Sequence, residues 1–155
     1  MEEQEIPFDA KTVFQVGVVV KNIDETVKYY QEVFGIGPFE VFHVDYSDAT
    51  YYGQKVGYRG KRAFAKMGPI TLELIELVDG KTIHEDFLKD KGEGLHHLGF
   101  EVQDLKQSMK IAESKGLKIT QSYMNEETGL GFAYVDSNKI GGVIFELIQW
   151  PTKKQ

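Results

Sequence analysis

The sequence of 155 residues contains no cysteine, which excludes disulfide bonds, thiolate zinc sites and thiol nucleophiles. Basic residues are outnumbered: there are 18 Lys and Arg against 24 Asp and Glu, and the formal net charge is −6. This balance argues against a general nucleic-acid-binding protein. No apolar run approaches the roughly 20 residues of a membrane-spanning helix, and the acidic start MEEQEIPFD lacks a signal-peptide core. We therefore expect a cytoplasmic protein with no nucleic-acid or membrane partner.

The chain contains an internal repeat. FQVGVVVKNIDETVKYY at residues 14–30 aligns with HHLGFEVQDLKQSMKIA at 96–112. The alignment pairs Gln15 with His97, Gly17 with Gly99, and Asn22 with Asp104. Each copy begins with strand-like alternation and continues into apolar positions at i, i+4 and i+7, which are typical of an amphipathic helix. Asn22 and Asp104 are residue types that cap the start of a helix.

A second alignment places TLELIEL at residues 71–77 on IFELIQW at 144–150, and Glu73 on Glu146. A lone Glu in an apolar strand can simply face water, because the side chains of a strand alternate. The recurrence of Glu in both closing strands instead favours a shared role.

The pattern in each half therefore predicts a strand, a helix and three further strands. The first half places them near 13–20, 23–34, 38–45, 61–67 and 70–77, and the second near 95–102, 105–115, 117–124, 130–136 and 142–149. The predicted domains are an N-terminal extension 1–12, a first module 13–78, a linker 79–94 with a short helix over 82–90, a second module 95–150 and a tail 151–155. Residues 45–60 lack a clean period and are expected to form an exposed loop. His43 and His84 are expected at the surface or in the linker.

Strand alternation predicts which polar side chains meet. In each half the apolar positions are assigned to the face beneath the helix, so the opposite face carries one polar residue of the first strand and one Glu of the last. These residues are Gln15, Glu73, His97 and Glu146. Two enclosed carboxylates would repel each other, and a divalent cation would neutralise both. The mixed nitrogen and oxygen set suits Zn, Co, Ni, Mn or Fe(II).

The predicted fold class is thus α+β, with two βαβββ modules forming a curved mixed sheet around a metal-binding cup. His96 lies beside His97, and alternation favours His97 because it matches Gln15. A structural role for His97 is the alternative.

GEGLHHLGFEV at 92–102 and GGVIFELIQWP at 141–151 carry a resemblance to a known family. Over residues 13–150 the chain resembles the vicinal-oxygen-chelate superfamily of glyoxalase I, methylmalonyl-CoA epimerase, extradiol dioxygenases and the bleomycin- and fosfomycin-resistance proteins. The epimerase-like and glyoxalase I-like (lactoylglutathione lyase-like) members are the most similar. Epimerases usually have His where this chain has Gln15, and their second acid–base Glu falls at about Arg62.

The resemblance implies that Gln15, Glu73, His97 and Glu146 bind one divalent metal. It also implies that Glu146 or Glu73 removes a proton alpha to a metal-chelated carbonyl, through an enediolate or enolate. The substrate would be a small 2-oxo thiohemiacetal or an acyl-CoA, and the protein a homodimer. Glu101 is a spare candidate for the base.

Arg62 and Tyr134 are predicted to contact the substrate. Tyr and basic residues form a candidate lip for an anionic substrate, with a solvated loop as the alternative; they are Tyr46, Tyr51, Lys55, Tyr52, Tyr58, Arg59, Lys61 and Arg62. The rival function is a non-catalytic binding protein of the resistance type, which would use the same hollow to sequester a ligand. The substrate, the metal and the exchange of modules between chains stay open.

Overall fold

The computed structural model describes residues 4–136 and 141–152, so parts of the predicted extension, second module and tail (1–3, 137–140 and 153–155) lie outside the described residues. After a short 3-10 helix, Ala10–Thr12, the first half consists of β1 Val13–Val19, α1 Ile23–Phe34, β2 Glu40–Tyr51, β3 Gln54–Met67 and β4 Ile70–Gly80. The second half follows α2 Ile83–Lys91 and consists of β5 Gly94–Glu101, α3 Leu105–Ser114, β6 Lys118–Met124, β7 Gly131–Asp136 and β8 Ile144–Gln149.

The eight strands form one closed sheet in the order β1-β4-β3-β2-β6-β7-β8-β5. Two of the pairings, β1 with β4 and β5 with β8, are parallel, and the others are antiparallel. The α+β class and the curved mixed sheet are therefore confirmed. The assignment of domain boundaries along the chain stays a prediction.

The two halves meet along two seams within this chain. β1 pairs antiparallel with β5, so that Gln15 lies opposite Gly99 and Gly17 opposite His97. At the second seam β2 pairs with β6 through Thr50 opposite Ser122 and Tyr51 opposite Gln121. The first seam brings together the starting strands of both copies of the repeat.

Equivalent hydrogen bonds fasten the two outer helices to the sheet. Asn22 and Asp104 cap α1 and α3, as predicted, because their side chains accept from backbone N–H groups three residues on. The backbone N–H of Ile23 also donates to Glu76 Oε2 over 2.8 Å. In the second half the backbone N–H of Leu105 donates to Gln149 Oε1 over the same distance, 2.8 Å.

Glu76 and Gln149 match in the repeat, and each lies three residues beyond a predicted site Glu. Each closing strand is therefore tied to the start of its own helix. None of the helices in the described ranges is long and apolar enough to cross a membrane.

Helix α2 covers one end of the closed sheet. Ile83 packs into the interior cluster with Tyr58 and Phe132, and its backbone N–H donates to the buried Gln121 side chain over 3.0 Å. His84 lies in the segment between the two halves, which was one expectation, but the alternative of a surface position is wrong, since its exposed fraction is 2%. The first turn of α2 carries His84 inward, because that turn lies against the end of the sheet.

The expectation of a loop at residues 45–60 is also wrong. These residues form the distal part of a β2–β3 hairpin whose turn is Tyr52–Gly53, both with positive φ. A shift of register between Tyr46 and Ala49 interrupts the alternation. The hairpin was not predicted for two reasons: the bulge breaks the alternating pattern, and the first turn position holds Tyr52, where such turns usually have Asn or Asp.

Candidate functional site

A cavity of about 470 Å³ opens at the end of the sheet opposite α2. Its rim comes from the starts of β2 and β7 and the ends of β3 and β8, with Phe42, Phe64 and Trp150 among the lining residues. Deeper in the cavity lie Tyr46 and Tyr58. This apolar, aromatic wall encloses a small set of buried polar groups, as ligand sites commonly do.

Four buried polar side chains meet at the wall of this cavity, and three of them, Gln15, Glu73 and Glu146, line it. Gln15, Glu73, His97 and Glu146 are between 3% and 6% exposed. His97 Nε2 lies 2.8 Å from Glu146 Oε2 and 3.4 Å from Glu73 Oε2. Gln15 Oε1 lies 3.1 Å from the same nitrogen. The structure therefore brings together all four residues that the repeat and strand alternation selected.

Glycines make room for this meeting. Gly17 lies opposite His97, and a Cβ added to Gly17 would overlap the His97 imidazole ring. In the same way, a Cβ on Gly99 would lie 2.9 Å from Gln15 Cβ and 3.0 Å from Gln15 Oε1. The site residue on the first strand of each half thus lies over the glycine of the other half. The recurring pattern of Gln or His, any residue, then Gly follows from this packing.

A β-bulge turns two neighbouring histidines into the interior. Gly17 pairs with His97 but Val18 pairs with Leu95, so β5 holds one extra residue, His96, at this point. Because the bulge breaks the alternation, His96 and His97 are both buried, and their Nδ1 atoms are 3.0 Å apart. Strand alternation alone predicted that His97, and not His96, faces the cluster. In the structure both side chains point inward, and His97 contacts the carboxylates.

Burial and mutual electrostatic interactions shift the pKa values of the clustered His and Glu side chains. Burial alone would lower the pKa of the His97 imidazole, but Glu146 and Glu73 outweigh burial and raise this pKa to about 9. Burial raises the pKa of the Glu146 carboxyl, with His97 opposing this shift. Burial lowers the pKa of His96 to about 2, helped by the charge of His97. Without a metal, a proton is therefore held at neutral pH on His97 beside Glu146, and His96 stays neutral.

Arg62 supplies a buried positive charge beside this cluster. It is 6% exposed and lines the cavity, and its Nε lies 3.4 Å from Glu73 Oε1. Its Nη1 donates to the backbone carbonyl of Lys61 over 3.0 Å. The guanidinium is thus anchored at one side and presents its remaining surface to the cavity.

Tyr134 connects the cluster to the helix that covers the sheet. Its backbone lies opposite that of Glu146, and its hydroxyl forms a hydrogen bond that lowers the pKa of the Glu146 carboxyl, opposing the larger effect of burial. The same hydroxyl lies 3.2 Å from His84 Nε2. Strand alternation could not have found His84, because it lies on a helix whose contacts depend on the whole sheet.

Other predicted residues lie elsewhere. Glu101 is exposed and accepts from Trp150 Nε1 over 3.0 Å, so it lies outside the cluster; four residues of strand separate it from His97 by about 13 Å. Of the predicted lip, Tyr46, Tyr58 and Arg62 line the cavity. Arg59 pairs with Asp79 instead, and Lys61 with Asp24.

The donor atoms fit a divalent cation. With its oxygen turned toward the cluster, the Gln15 amide would offer a cation between the four side chains a further oxygen ligand. Rotating the amide would put its nitrogen 3.0 Å from Glu73 Oε2, 3.1 Å from His97 Nε2 and 2.9 Å from Glu146 Oε2. Both orientations keep Gln15 in the cluster. Nitrogen and oxygen atoms of Glu73, His97 and Glu146 lie within 4.8 Å of one another, and such a set suits zinc-like metals.

Comparisons with known proteins agree with this architecture. The model of the Glyoxalase/Bleomycin resistance protein/Dioxygenase superfamily matches residues 14–134. The uncharacterized protein YqjC of Bacillus subtilis (strain 168) is 26% identical over 135 residues, which cover 86% of this chain and 89% of that protein.

Solved structures share the fold at low identity. A variant of methylmalonyl-CoA epimerase from Streptomyces coelicolor, in complex with 2-nitronate-propionyl-CoA, is 21% identical with a TM-score of 0.64, covering 91% of this chain and 98% of that one. The methylmalonyl-CoA epimerase from Mycobacterium tuberculosis is 18% identical with a TM-score of 0.62, covering 92% and 89%. Because the family match spans most of the sequence, the chain belongs to the glyoxalase, bleomycin resistance and dioxygenase superfamily.

Proposed function

We propose that this protein is a metal-dependent isomerase or lyase of glyoxalase type, which removes a proton alpha to a carbonyl of a small substrate. The observation that carries the proposal is the convergence of two carboxylates, an imidazole and an amide at an apolar cavity. A protein that only sequesters a ligand has no evident need for two buried carboxylates. A homodimer, which the resemblance implies, stays a prediction.

The residues that would hold the metal are Gln15, Glu73, His97 and Glu146. A divalent cation held there would act as a Lewis acid and lower the barrier to removing a proton alpha to a coordinated carbonyl. Gln15 would bind through Oε1 and His97 through Nε2, the atoms that point to the centre of the cluster. The apolar wall would keep water from the reacting carbon.

Glu146 is the better candidate for the base. Glu73 faces the Arg62 guanidinium at 3.4 Å, and this ion pair holds it in place. Glu146 faces the neutral Tyr134 hydroxyl on one side, and its other neighbour, His97, would be neutral once it bound a metal through Nε2. A fixed positive charge such as Arg62 favours the ionised form of a carboxyl group and so opposes uptake of a proton, which a base has to accept and return. We assign Glu146 as the base and Glu73 as a metal ligand.

Arg62 favours a substrate with an anionic group. Two carboxylates, one guanidinium and one divalent cation leave the site with a single positive charge, which an anionic substrate would neutralise. A 2-oxo thiohemiacetal of a charged thiol or the acyl part of an acyl-CoA would meet this requirement. Tyr134 would contribute its ring to the substrate's surroundings, because it lines the cavity.

The presence of Arg at position 62 favours a glyoxalase-type isomerisation over an epimerisation. The resemblance places the second acid–base residue of epimerases at about Arg62, and a guanidinium does not exchange protons near neutral pH. A single base that removes and returns the proton suits an isomerase of glyoxalase type. A single base is less suited to epimerisation, in which the proton is removed from one face of the carbon and returned to the other.

Metal binding should release a proton at neutral pH. The His97 pKa of about 9 means that the metal-free pair carries a proton at pH 7, and a metal on Nε2 has to displace it. We expect close to one proton released per metal at pH 7, falling toward zero above pH 9. The affinity should rise about tenfold per pH unit across that window. Calorimetry in two buffers of different ionisation enthalpy measures the count, and a count of zero at pH 7 would contradict the assigned ligand.

Metal analysis followed by a proton-exchange screen tests the function itself. The protein as purified, and after loading with zinc, cobalt, nickel, manganese or iron(II), would be incubated in D2O with 2-oxo hemithioacetals and 2-methyl acyl-CoAs. We expect one metal per chain and deuterium at the alpha carbon of at least one substrate, detected by NMR. Tight substrate binding without exchange would favour the sequestering protein instead.

A further inference from the structure

We propose that His96 is a positioning residue for His97, and that its Nδ1 accepts a hydrogen bond from His97 Nδ1–H. This bond would hold the His97 ring with Nε2 directed at Glu73 and Glu146. The inference rests on the proposed metal centre, because it concerns how one ligand of that centre is oriented.

The geometry assigns a role to each ring nitrogen. His97 Nε2 lies 2.8 Å from Glu146, so Nδ1 is the ring atom left for another partner. That partner is His96 Nδ1 at 3.0 Å. A metal on Nε2 of a neutral imidazole leaves the proton on Nδ1, so His97 donates and His96 accepts. His96 then carries its own proton on Nε2.

The β-bulge makes this contact possible. In a regular strand two adjacent side chains face opposite sides of the sheet, so neighbouring histidines cannot meet. The extra residue in β5 turns His96 to the same side as His97, and the two rings stand nearly perpendicular at 86°. Bulges of this kind re-aim side chains beside functional sites.

His96 keeps a polar ring at a cost to stability. It is 4% exposed, and among the described residues its Nε2 has no hydrogen-bond partner. Its surroundings are rings, with Phe87 at 5.1 Å and Tyr134 at 5.7 Å between centroids. A phenylalanine would fill this space without an unpaired donor. The retained imidazole therefore points to a use for Nδ1.

A second metal is the competing interpretation of this cluster. Nitrogen atoms of His84, His96 and His97 lie within 4.8 Å of one another. As metal ligands the three imidazoles would all be neutral, and the positive charge of Arg62 acts on both His84 and His96. A second divalent cation would therefore lack a counter-charge in the interior. The hydrogen bond needs no added charge, and we favour it.

Three variants test the proposal: His96→Phe, His96→Asn and His96→Gln. The Asn side chain places an acceptor near the position of Nδ1, whereas the Gln amide reaches toward Nε2. Zinc affinity, measured by competition with a chromophoric chelator, should fall about 10- to 100-fold in the Phe and Gln variants and recover largely in the Asn variant. The melting temperature of metal-free His96→Phe should equal or exceed that of the wild type, which a merely structural role would not produce.

The same samples give a spectroscopic check. In zinc-loaded wild type, 15N-labelled histidine should show a slowly exchanging His97 Nδ1 proton, and His96→Phe should lose its hydrogen-bonded shift. Equal zinc affinity in wild type, Phe and Gln variants would overturn the proposal while leaving the metal centre intact. Two zinc ions per wild-type chain, one of them lost in the Asn variant, would also overturn it, in favour of a second site. A wild type that binds no zinc or other divalent metal would refute both this inference and the proposed function.

Discussion

Replacing Glu146 by Gln should reduce alpha-proton exchange by about 10²- to 10⁴-fold, the usual contribution of a general base. The amide keeps an oxygen that can still bind a metal, but it cannot take up a proton. Metal affinity should therefore fall much less than exchange does. NMR of deuterium incorporation measures exchange, and metal analysis after dialysis measures retention.

Two further variants make this result specific. Glu101→Gln changes an exposed carboxylate that lies outside the cluster, and it should exchange protons at the wild-type rate. Glu73→Gln should mainly weaken metal binding, because Glu73 is assigned as a ligand. If Glu73→Gln lost exchange while retaining the metal, and Glu146→Gln did not, the roles of the two carboxylates would be reversed.

Gly17→Ala should lose metal affinity by at least about 100-fold and destabilise the protein by about 1–3 kcal/mol, the typical cost of overpacking. The new methyl group would occupy the space of the His97 ring, so the imidazole would have to leave the cluster. Zinc competition and thermal unfolding of the metal-free protein measure the two effects.

A control and a double variant separate this clash from other effects of the substitution. Gly57→Ala, also in a strand, would meet nothing closer than 3.5 Å, and it should leave zinc affinity unchanged. Combining Gly17→Ala with His97→Ala removes the ring that causes the clash. The double variant should therefore be about as stable as His97→Ala alone, and additive losses would contradict the contact.

The candidate site was largely predictable because a duplicated pattern constrains it twice. Gln15 and His97 could be matched with Glu73 and Glu146 since both halves use strands of the same order and parity. Strand alternation is a local rule with a period of two, so it carries across the sheet wherever pairing is regular. The convergence of these four side chains follows from it, whereas the helix caps at Asn22 and Asp104 follow from the capping preference of Asn and Asp.

The errors occur where pairing is irregular or where distant parts of the chain meet. The bulges at His96 and between Tyr46 and Ala49 change the side of the sheet that a residue faces. The hydrophobic pattern of the sequence does not predict where these bulges occur. His84 enters the interior because α2 covers the end of the sheet, a tertiary contact that its own segment does not encode. Glu101 has the expected parity but lies too far along its strand.

The placement of each site residue over the other half's glycine has a consequence for assembly. An isolated half of the chain would carry one ligand on its first strand, one Glu on its last strand and one glycine. The glycine would then face no side chain of the other half, and the ligand would have no glycine to pack over. The cluster exists only after β1 and β5 have aligned in a single register, since a shift by one residue would bring a side chain, instead of Gly17, under His97. Formation of the cluster therefore reports that the two halves have docked correctly, and a late-forming seam would make site assembly the last step of folding.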